Sequence, residues 1–314
     1  MKSVAVAESV LEEKPPEVDA RTRDLLIESA PLMAQWAETE CQPKPLGGME
    51  EWANAQGHRV PSCDWYHGTW QYLRLLNMVA VPPWYRFYNK AVSSILRKRP
   101  NPHVLISGAA DWGMLAILHQ AIETAGVFPR ITIYDICNTP LLACRWYAER
   151  HGFEVHCVRD NLLTTPSTPV DRFDLIVTDE LLTVLKREDK PTIVTRWRAL
   201  LKPGGAVVTT AMIGGPTTRE QRRDYAVRAR LQLDAQHDSF RSFDASREEL
   251  VQRFDQFAAF HTRHMIADAN EVRDLFSEFY LGFCVPTETP GECANPTNSF
   301  QIIASVPYVT PGPA

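Results

Sequence analysis

Between residues 103 and 213 short apolar runs alternate with helical stretches, and this rhythm constrains the chain more than any other feature. The runs are HVLISG (103–108), RITIYD (130–135), FEVHCVRD (153–160), the start of FDLIVTDELL (173–182) and AVVTTAMI (206–213). Among them DWGMLAILHQAIETA (111–125), TPLLACRWYAERHG (139–152) and KREDKPTIVTRWRALLKPGG (186–205) carry apolar residues at helical spacing. Strands separated by helices point to parallel winding, because a parallel pair needs a crossover of a dozen or more residues. The helix signals agree. Asp111 is placed to cap the first turn, Pro140 opens the second helix, Gly152 follows its end, and Pro203-Gly204-Gly205 closes the third. Two later runs, FYLGFCV (279–285) and SFQIIASV (299–306), are joined by a Pro/Gly-rich loop and are expected to pair antiparallel. The expected fold is α/β, a doubly wound, mostly parallel sheet of seven strands.

The flanking chain reads differently. Residues 1–19 are rich in Glu and Pro and are expected to be a disordered leader. Residues 20–40 carry a helical pattern (Leu25, Leu26, Ile27, Leu32, Met33, Trp36), and 41–64 read as loop. A dense aromatic segment follows from Cys63, with Trp70, Leu73, Leu76 and Asn77 at helical spacing. Residues 20–100 thus form a helical cap or lid before an α/β domain over 101–314. Helical stretches at 217–235 and 246–263 make an insertion of about 217–263, and a further helix is expected at 268–278.

Composition excludes several classes. A net charge of −5 offers no basic face for nucleic acid. No apolar run approaches the roughly 18–20 residues that span a bilayer, and acids interrupt the short N-terminal apolar stretch, so it is not a signal peptide. Seven cysteines are widely spread without a CxxC pair and are expected to be reduced and structural in a cytoplasmic protein. His119, His151, His156, His261 and His264 lack metal-ligand spacing; His261 and His264 read as surface residues of a helix. No metal is expected.

In an open parallel sheet ligands sit beyond the carboxyl ends of the strands. That selects Gly108-Ala109-Ala110-Asp111, Asp135 with Ile136, Asp160-Asn161 and Thr178-Asp179-Glu180. The first is a small-residue turn feeding a helix. Asp135 ends the second strand, 27 positions after Gly108, where it can accept hydrogen bonds from ribose hydroxyls. Asp160 can accept from an adenine amino group, and Asp179 with Glu180 can form an acid/base pair or cap the next helix.

The order of these features resembles the class I S-adenosylmethionine-dependent methyltransferases over roughly 103–306. The resemblance rests on VLISGAADWG, Asp135 in YD, Asp160 in RDN, the LLKPGG block and the terminal strand pair. It implies S-adenosylmethionine as cofactor, held by Trp70, Arg74, Gly108, Ala109, Asp111, Asp135, Ile136, Asp160, Asn161 and Thr178, with Tyr66, His67 and Asp179 as catalytic candidates. The family's acid-x-Gly-x-Gly-x-Gly turn reads Ile106, Gly108, Ala110 and Trp112 here, so the acid near the methionyl ammonium and two glycines are replaced. The same turn lacks the GxGxxG that admits a dinucleotide pyrophosphate. The aromatic lid then becomes the candidate for the methionyl end: its rings attract a sulfonium, Tyr66 and His67 donate to the carboxylate, and Arg74 pairs with it.

Three readings follow. Methyl transfer to a small-molecule acceptor of secondary-metabolite type needs alignment more than a base, and no Asn-Pro-Pro-Tyr motif follows the fourth strand. The chain also resembles the azetidine-2-carboxylate synthases, in which the cofactor's own amine displaces methylthioadenosine; the missing acid at Ile106 and the enclosing lid lean that way. The third is a catalytically silent binding protein on the same fold.

Overall fold

The computed structural model describes residues 20–41, 62–79, 85–164, 172–236, 245–288 and 297–307. The expected leader at 1–19, most of the loop at 41–64 and Cys293 lie outside the described residues. The elements are α1 (Ala20–Glu40), α2 (Asp64–Leu75), α3 (Tyr85–Leu96), β1 (His103–Ser107), α4 (Gly113–Ala125), β2 (Arg130–Asp135), α5 (Asn138–His151) and β3 (His156–Arg159). They continue with β4 (Phe173–Thr178), α6 (Leu181–Val184), α7 (Lys190–Leu200), β5 (Leu201–Met212), α8 (Arg219–Ala235), α9 (Arg247–Phe260), α10 (Ala269–Leu275), β6 (Tyr280–Glu288) and β7 (Asn298–Ser305).

The seven strands form one sheet in the order β3-β2-β1-β4-β5-β7-β6. The first five are parallel, and β7 runs antiparallel to both β5 and β6. Both faces are covered, as the continuous apolar runs require. Alternate residues divide between two cores: Val104, Ile106, Leu175, Val177 and Val208 face one side, and Leu105, Ile176 and Val207 the other. The first core takes in residues of α1, α2, α3, α4, α5, α8 and α9, and the second those of α6, α7 and α10. Trp197 of α7, fully buried, donates its Nε1–H to Ser107 Oγ at 2.9 Å and so anchors that helix at the end of β1. Among the described residues no helix is long and apolar enough to cross a membrane.

Three boundaries differ from the sequence reading. The helix expected over 186–205 spans only Lys190–Leu200, and the Leu-Lys-Pro-Gly-Gly block opens β5 instead. Phe173 pairs with Leu201 but Leu175 with Ala206, a register shift that Pro203 and Gly204 (φ +73°) make possible. A Cβ on Gly205 would stand 2.9 Å from the Lys202 carbonyl and 3.1 Å from that of Phe173. The aromatic helix ends at Leu75, since Asn77 has φ +56°, a left-handed conformation asparagine tolerates. Helix α9 stops at Phe260, leaving His261 and His264 in an extended segment. Capping boxes at Thr218/Gln221 and Ser246/Glu249 fix where α8 and α9 begin.

The N-terminal helices are tied to the β1–α4 turn by a buried polar chain. Trp112 Nε1–H donates to Ser29 Oγ (3.0 Å), and Ser29 donates to Gln71 Oε1 (2.7 Å). Gln71 Nε2 in turn donates to Asp111 Oδ2 (3.2 Å). Arg74 pairs with the same carboxylate oxygen, both side chains being 3% exposed, and its guanidinium lies 4.4 Å above the Trp112 ring. Asp111 also accepts the Gly113 N–H at 2.7 Å, so it caps α4 as expected while serving the ion pair.

Removing one member of a buried pair leaves a charge without compensation. Arg74→Met is therefore expected to destabilise the fold by about 3–5 kcal/mol. The double variant Arg74→Met/Asp111→Asn should recover part of that loss. Urea unfolding of the two variants checks this, and equal losses would contradict it.

Candidate functional site

The chain winds from β1 outward through β2 and β3, then returns to place β4 on the other side of β1. In open sheets of this kind ligands bind at that reversal, beyond the carboxyl ends of β1 and β4. Gly108, at φ +77°, turns the chain here; a Cβ in its place would press on Leu181 Cδ1 at 3.2 Å.

Asp135 stands at the edge of this turn. Its Oδ2 accepts the Ala109 N–H (2.9 Å) and its Oδ1 the Cys137 N–H (2.7 Å), so each oxygen keeps a lone pair for another donor. Burial pushes the carboxyl up to about 6, against the opposing pull of His67 and the two amides. Ile136 lies exposed at the lip. On the neighbouring strand the exposed Asp160 donates its N–H to the Asp135 carbonyl (3.0 Å) and accepts the Asn161 N–H (2.7 Å); Asn161 Oδ1 accepts from Leu163 (3.0 Å). These two residues shape the turn beside Asp135.

At the end of β4 the Thr178 carbonyl accepts from the Tyr88 hydroxyl at 2.8 Å. The Thr178 hydroxyl is buried without a hydrogen-bond partner among the described residues. Asp179 Oδ1 lies 2.9 Å from the Tyr88 hydroxyl and accepts from Thr210 Oγ1 at 2.7 Å. Burial, and then the neighbouring Glu180, pushes the Asp179 carboxyl up to about 7. Glu180 itself is taken up by the scaffold: it accepts from Thr183 Oγ1 (2.6 Å), the Met212 N–H (2.7 Å) and Ser299 Oγ (2.8 Å), at a left-handed φ of +56°.

Helix α2 brings the aromatic residues over these strand ends. Tyr66 stacks on Trp70 (centroids 5.0 Å, 27°) and on Phe257 of α9 (5.6 Å, 22°). Burial, followed by the charges of Asp111, Asp135 and Asp179, raises the Tyr66 hydroxyl. The Trp70 Nε1–H is buried without a hydrogen-bond partner among the described residues. His67 is buried, with Nδ1 3.2 Å from the Ala110 carbonyl. Burial opposes charge on its ring, but Cys137, Asp135 and the Ala110 carbonyl outweigh that and raise it. Arg74 is engaged with Asp111 rather than facing the crevice as a lone cation.

His261 is not the surface residue expected from its spacing. It is half-buried, 4.7 Å from the Phe257 ring and 6.2 Å from Tyr66, and burial holds it well below the ordinary imidazole range. It also lines a cavity of about 590 Å³ beyond β5, together with Arg222, Tyr225, Arg263, Met265 and Asn298. Tyr88, Thr210, Phe257 and His261 gave no sequence signal, because only the sheet order and the packing of α3 and α9 bring them to the crevice. Behind Asp135 the thiols of Cys41, Cys63 and Cys137 converge, although nothing in their spacing suggests it.

A carboxyl raised in the folded state binds its proton there more tightly than in the unfolded chain. Its contribution to stability is full below about pH 4 and is lost as pH rises through about 7. Asp179→Asn removes this term. The stability of the wild type relative to that variant should therefore fall between pH 4 and 7, by at most about 1.4 kcal/mol per unit. Denaturant unfolding at stepped pH reads it, and a flat difference would place Asp179 in water.

No family model and no curated protein matches this chain. Among solved structures it is similar to the 1,6-didemethyltoxoflavin-N1-methyltransferase of Burkholderia thailandensis, crystallised with 1,6-didemethyltoxoflavin and S-adenosylhomocysteine. That pair shares 16% identity over 85% of this chain and 93% of the other, with a TM-score of 0.50. The N-methyltransferase NodS of Bradyrhizobium japonicum, in complex with S-adenosylhomocysteine, aligns at 16% identity over 76% of this chain and 98% of its own, with a TM-score of 0.45. At such identities the likeness concerns architecture. The chain has the Rossmann-like methyltransferase fold, with seven strands in a mostly parallel sheet.

Proposed function

We propose that this chain binds S-adenosylmethionine in the crevice between β1 and β4 and transfers its methyl group to a small-molecule acceptor. The observation that carries the reading is Asp135: a carboxylate at the end of β2, fixed by two backbone amides, with a lone pair left on each oxygen. That is what two vicinal sugar hydroxyls require. The small turn Gly108-Ala109-Ala110 gives the adenosine room against the main chain, and Ile136 and the Asp160-Asn161 turn border the adenine side. The aromatic group of Tyr66 and Trp70 stands where the methionyl end would lie, and the buried, unpaired Trp70 Nε1–H and Thr178 hydroxyl offer it hydrogen bonds. When bound, the cofactor supplies an electrophilic methyl on a sulfonium. Helix α2 would help exclude water, and His67 and Arg74 hold it in place through Ala110 and Asp111. Asp179, near neutrality in its affinity for protons, is suited to take one from an acceptor hydroxyl or amine. The acceptor would occupy the cavity under α8 and α9.

A second reading is favoured by one observation. Ile106, fully buried, stands where the family's acid would face the methionyl ammonium, so that ion pair is missing. A neutral amine can attack its own γ carbon: the N–C bond forms, the C–S pair departs with methylthioadenosine, and the ammonium proton is lost. The product is azetidine-2-carboxylate.

Incubation of the purified protein with S-adenosylmethionine alone, followed by mass spectrometry, separates the two. Azetidine-2-carboxylate above a protein-free control supports cyclisation. S-adenosylhomocysteine formed only with added small-molecule acceptors supports methyl transfer. Absence of binding by calorimetry would sink both.

Asp135→Ala should weaken cofactor affinity about 10- to 150-fold, the equivalent of about 1.5–3 kcal/mol for charge-assisted bonds. Trp70→Ala should weaken it about 2- to 30-fold, as loss of a ring facing a cation implies. Unchanged affinity in the second variant, with the fold intact by circular dichroism, would move the sulfonium away from the lid.

A further inference from the structure

Three cysteines far apart in sequence meet at one point. Cys41 follows the end of α1, Cys63 precedes α2, and Cys137 follows β2. Cys137 Sγ lies 3.5 Å from Cys41 Sγ and 3.6 Å from Cys63 Sγ, and all three sulfurs fall within 4.8 Å of one another. Cys41 and Cys137 are buried and Cys63 is half-buried. All three are free thiols, so the convergence is not a disulfide. The adjoining side chain is His67, 7% exposed, near enough to Cys137 for that residue to raise the affinity of its ring for a proton. Its Nδ1 faces the Ala110 carbonyl, which can only accept, so Nδ1 carries the proton and Nε2 keeps the lone pair.

From this geometry we propose that Cys41, Cys63 and Cys137 bind a structural zinc ion, with the neighbouring His67 turning in to complete the shell. Three sulfurs and one imidazole nitrogen make a closed tetrahedral set, one of the ordinary structural types. With Zn–S bonds of about 2.3 Å, a tetrahedron has S–S edges of about 3.8 Å; the Cys137–Cys41 and Cys137–Cys63 separations need to open by only a few tenths of an ångström. The surroundings fit a ligand shell. A ligating histidine commonly donates its other N–H to a backbone carbonyl, as His67 does to Ala110. Thr139 Oγ1 stands 3.2 Å from Cys41 Sγ, positioned to donate to a thiolate. Binding forms three Zn–S bonds and one Zn–N bond and releases three thiol protons to solvent.

The site goes beyond the proposed chemistry and does not depend on it. It would clamp the ends of α1 and α2 to the loop after β2. There the Cys137 N–H, which donates to Asp135 Oδ1, would be fixed by the metal. The expectation of no metal came from sequence spacing alone, and the three thiols lie 74 or more positions from one another only where Cys137 is concerned.

The test is metal analysis of the full chain purified without chelators from zinc-supplemented cells. About one equivalent of zinc per chain is expected. A mercurial reagent should release it to a chromophoric chelator, and replacement by cobalt(II) should give a thiolate-to-cobalt charge-transfer band with tetrahedral ligand-field bands. Cys41→Ser and Cys137→Ser should retain under a tenth of the wild-type zinc, and Cys284→Ser, on β6 away from the cluster, should retain all of it. Should the serine variants fail to fold, the mercurial and cobalt titrations of the wild type decide alone. Under a tenth of an equivalent in the wild type with no charge-transfer band on cobalt addition would overturn the site. So would a Cys41–Cys137 or Cys63–Cys137 disulfide in the protein as purified.

Discussion

Asp135 holds the carboxyl edge of the sheet together. One oxygen takes the Ala109 N–H from the turn after β1, and the other takes the Cys137 N–H from the loop after β2. The Asp135 carbonyl takes the Asp160 N–H, so the end of β3 is fixed to the same residue. A buried carboxylate gains most from hydrogen bonds donated to its charged form. Here those bonds come from the backbone, which cannot swing away. The crevice is therefore shaped before any ligand arrives, and the small turn beside it needs no side chain to brace it.

The balance of charge around that crevice is uneven. Asp135 and Asp179 are both raised by burial, which is the behaviour of carboxyl groups short of cations. Arg74 is committed to Asp111 against the Trp112 ring. Tyr66, Trp70 and Phe257 pack ring against ring beside the crevice, and on the proposed reading the quadrupole of these rings would favour a cation. Acids and rings together suit a positively charged, otherwise apolar group. Neither feature alone would select it, since buried acids also bind donors and aromatic clusters also merely pack.

Much of this architecture is legible in the sequence because it follows from periodicity. Val104 and Ile106 facing one core while Leu105 faces the other is the two-residue alternation of a strand, and five such runs separated by helices dictate the winding. Asp135 and Asp179 were found for the same reason: the end of a parallel strand is a position the pattern marks. What periodicity cannot show is which distant segments touch. The Leu-Lys-Pro-Gly-Gly block reads as a helix stop, yet its register against Phe173 makes it the start of β5. His261 has helical spacing to His264, but α9 ends one residue earlier and turns His261 inward against Phe257. Tyr88 reaches Thr178 and Asp179 across 90 positions, and Cys41 reaches Cys137 across 96. Such pairings are set by how α1 and α3 pack, and no local signal carries them.

The crevice and the cavity beyond β5 are chemically unlike. The first is acidic and aromatic; the second is lined by Arg222 and Arg263, with Tyr225 and His261 at its junction with the Phe257 stack. A cation that rearranges within itself has use for the first compartment only. A transfer reaction needs both: one to hold the donor and another to hold what receives the group. Arg222 donates to the Ala259 carbonyl and to Thr262 Oγ1, and Glu288 shares the lining, so the second compartment is polar and mixed in charge. On the proposed reading it is this second compartment, more than the crevice, that weighs toward transfer.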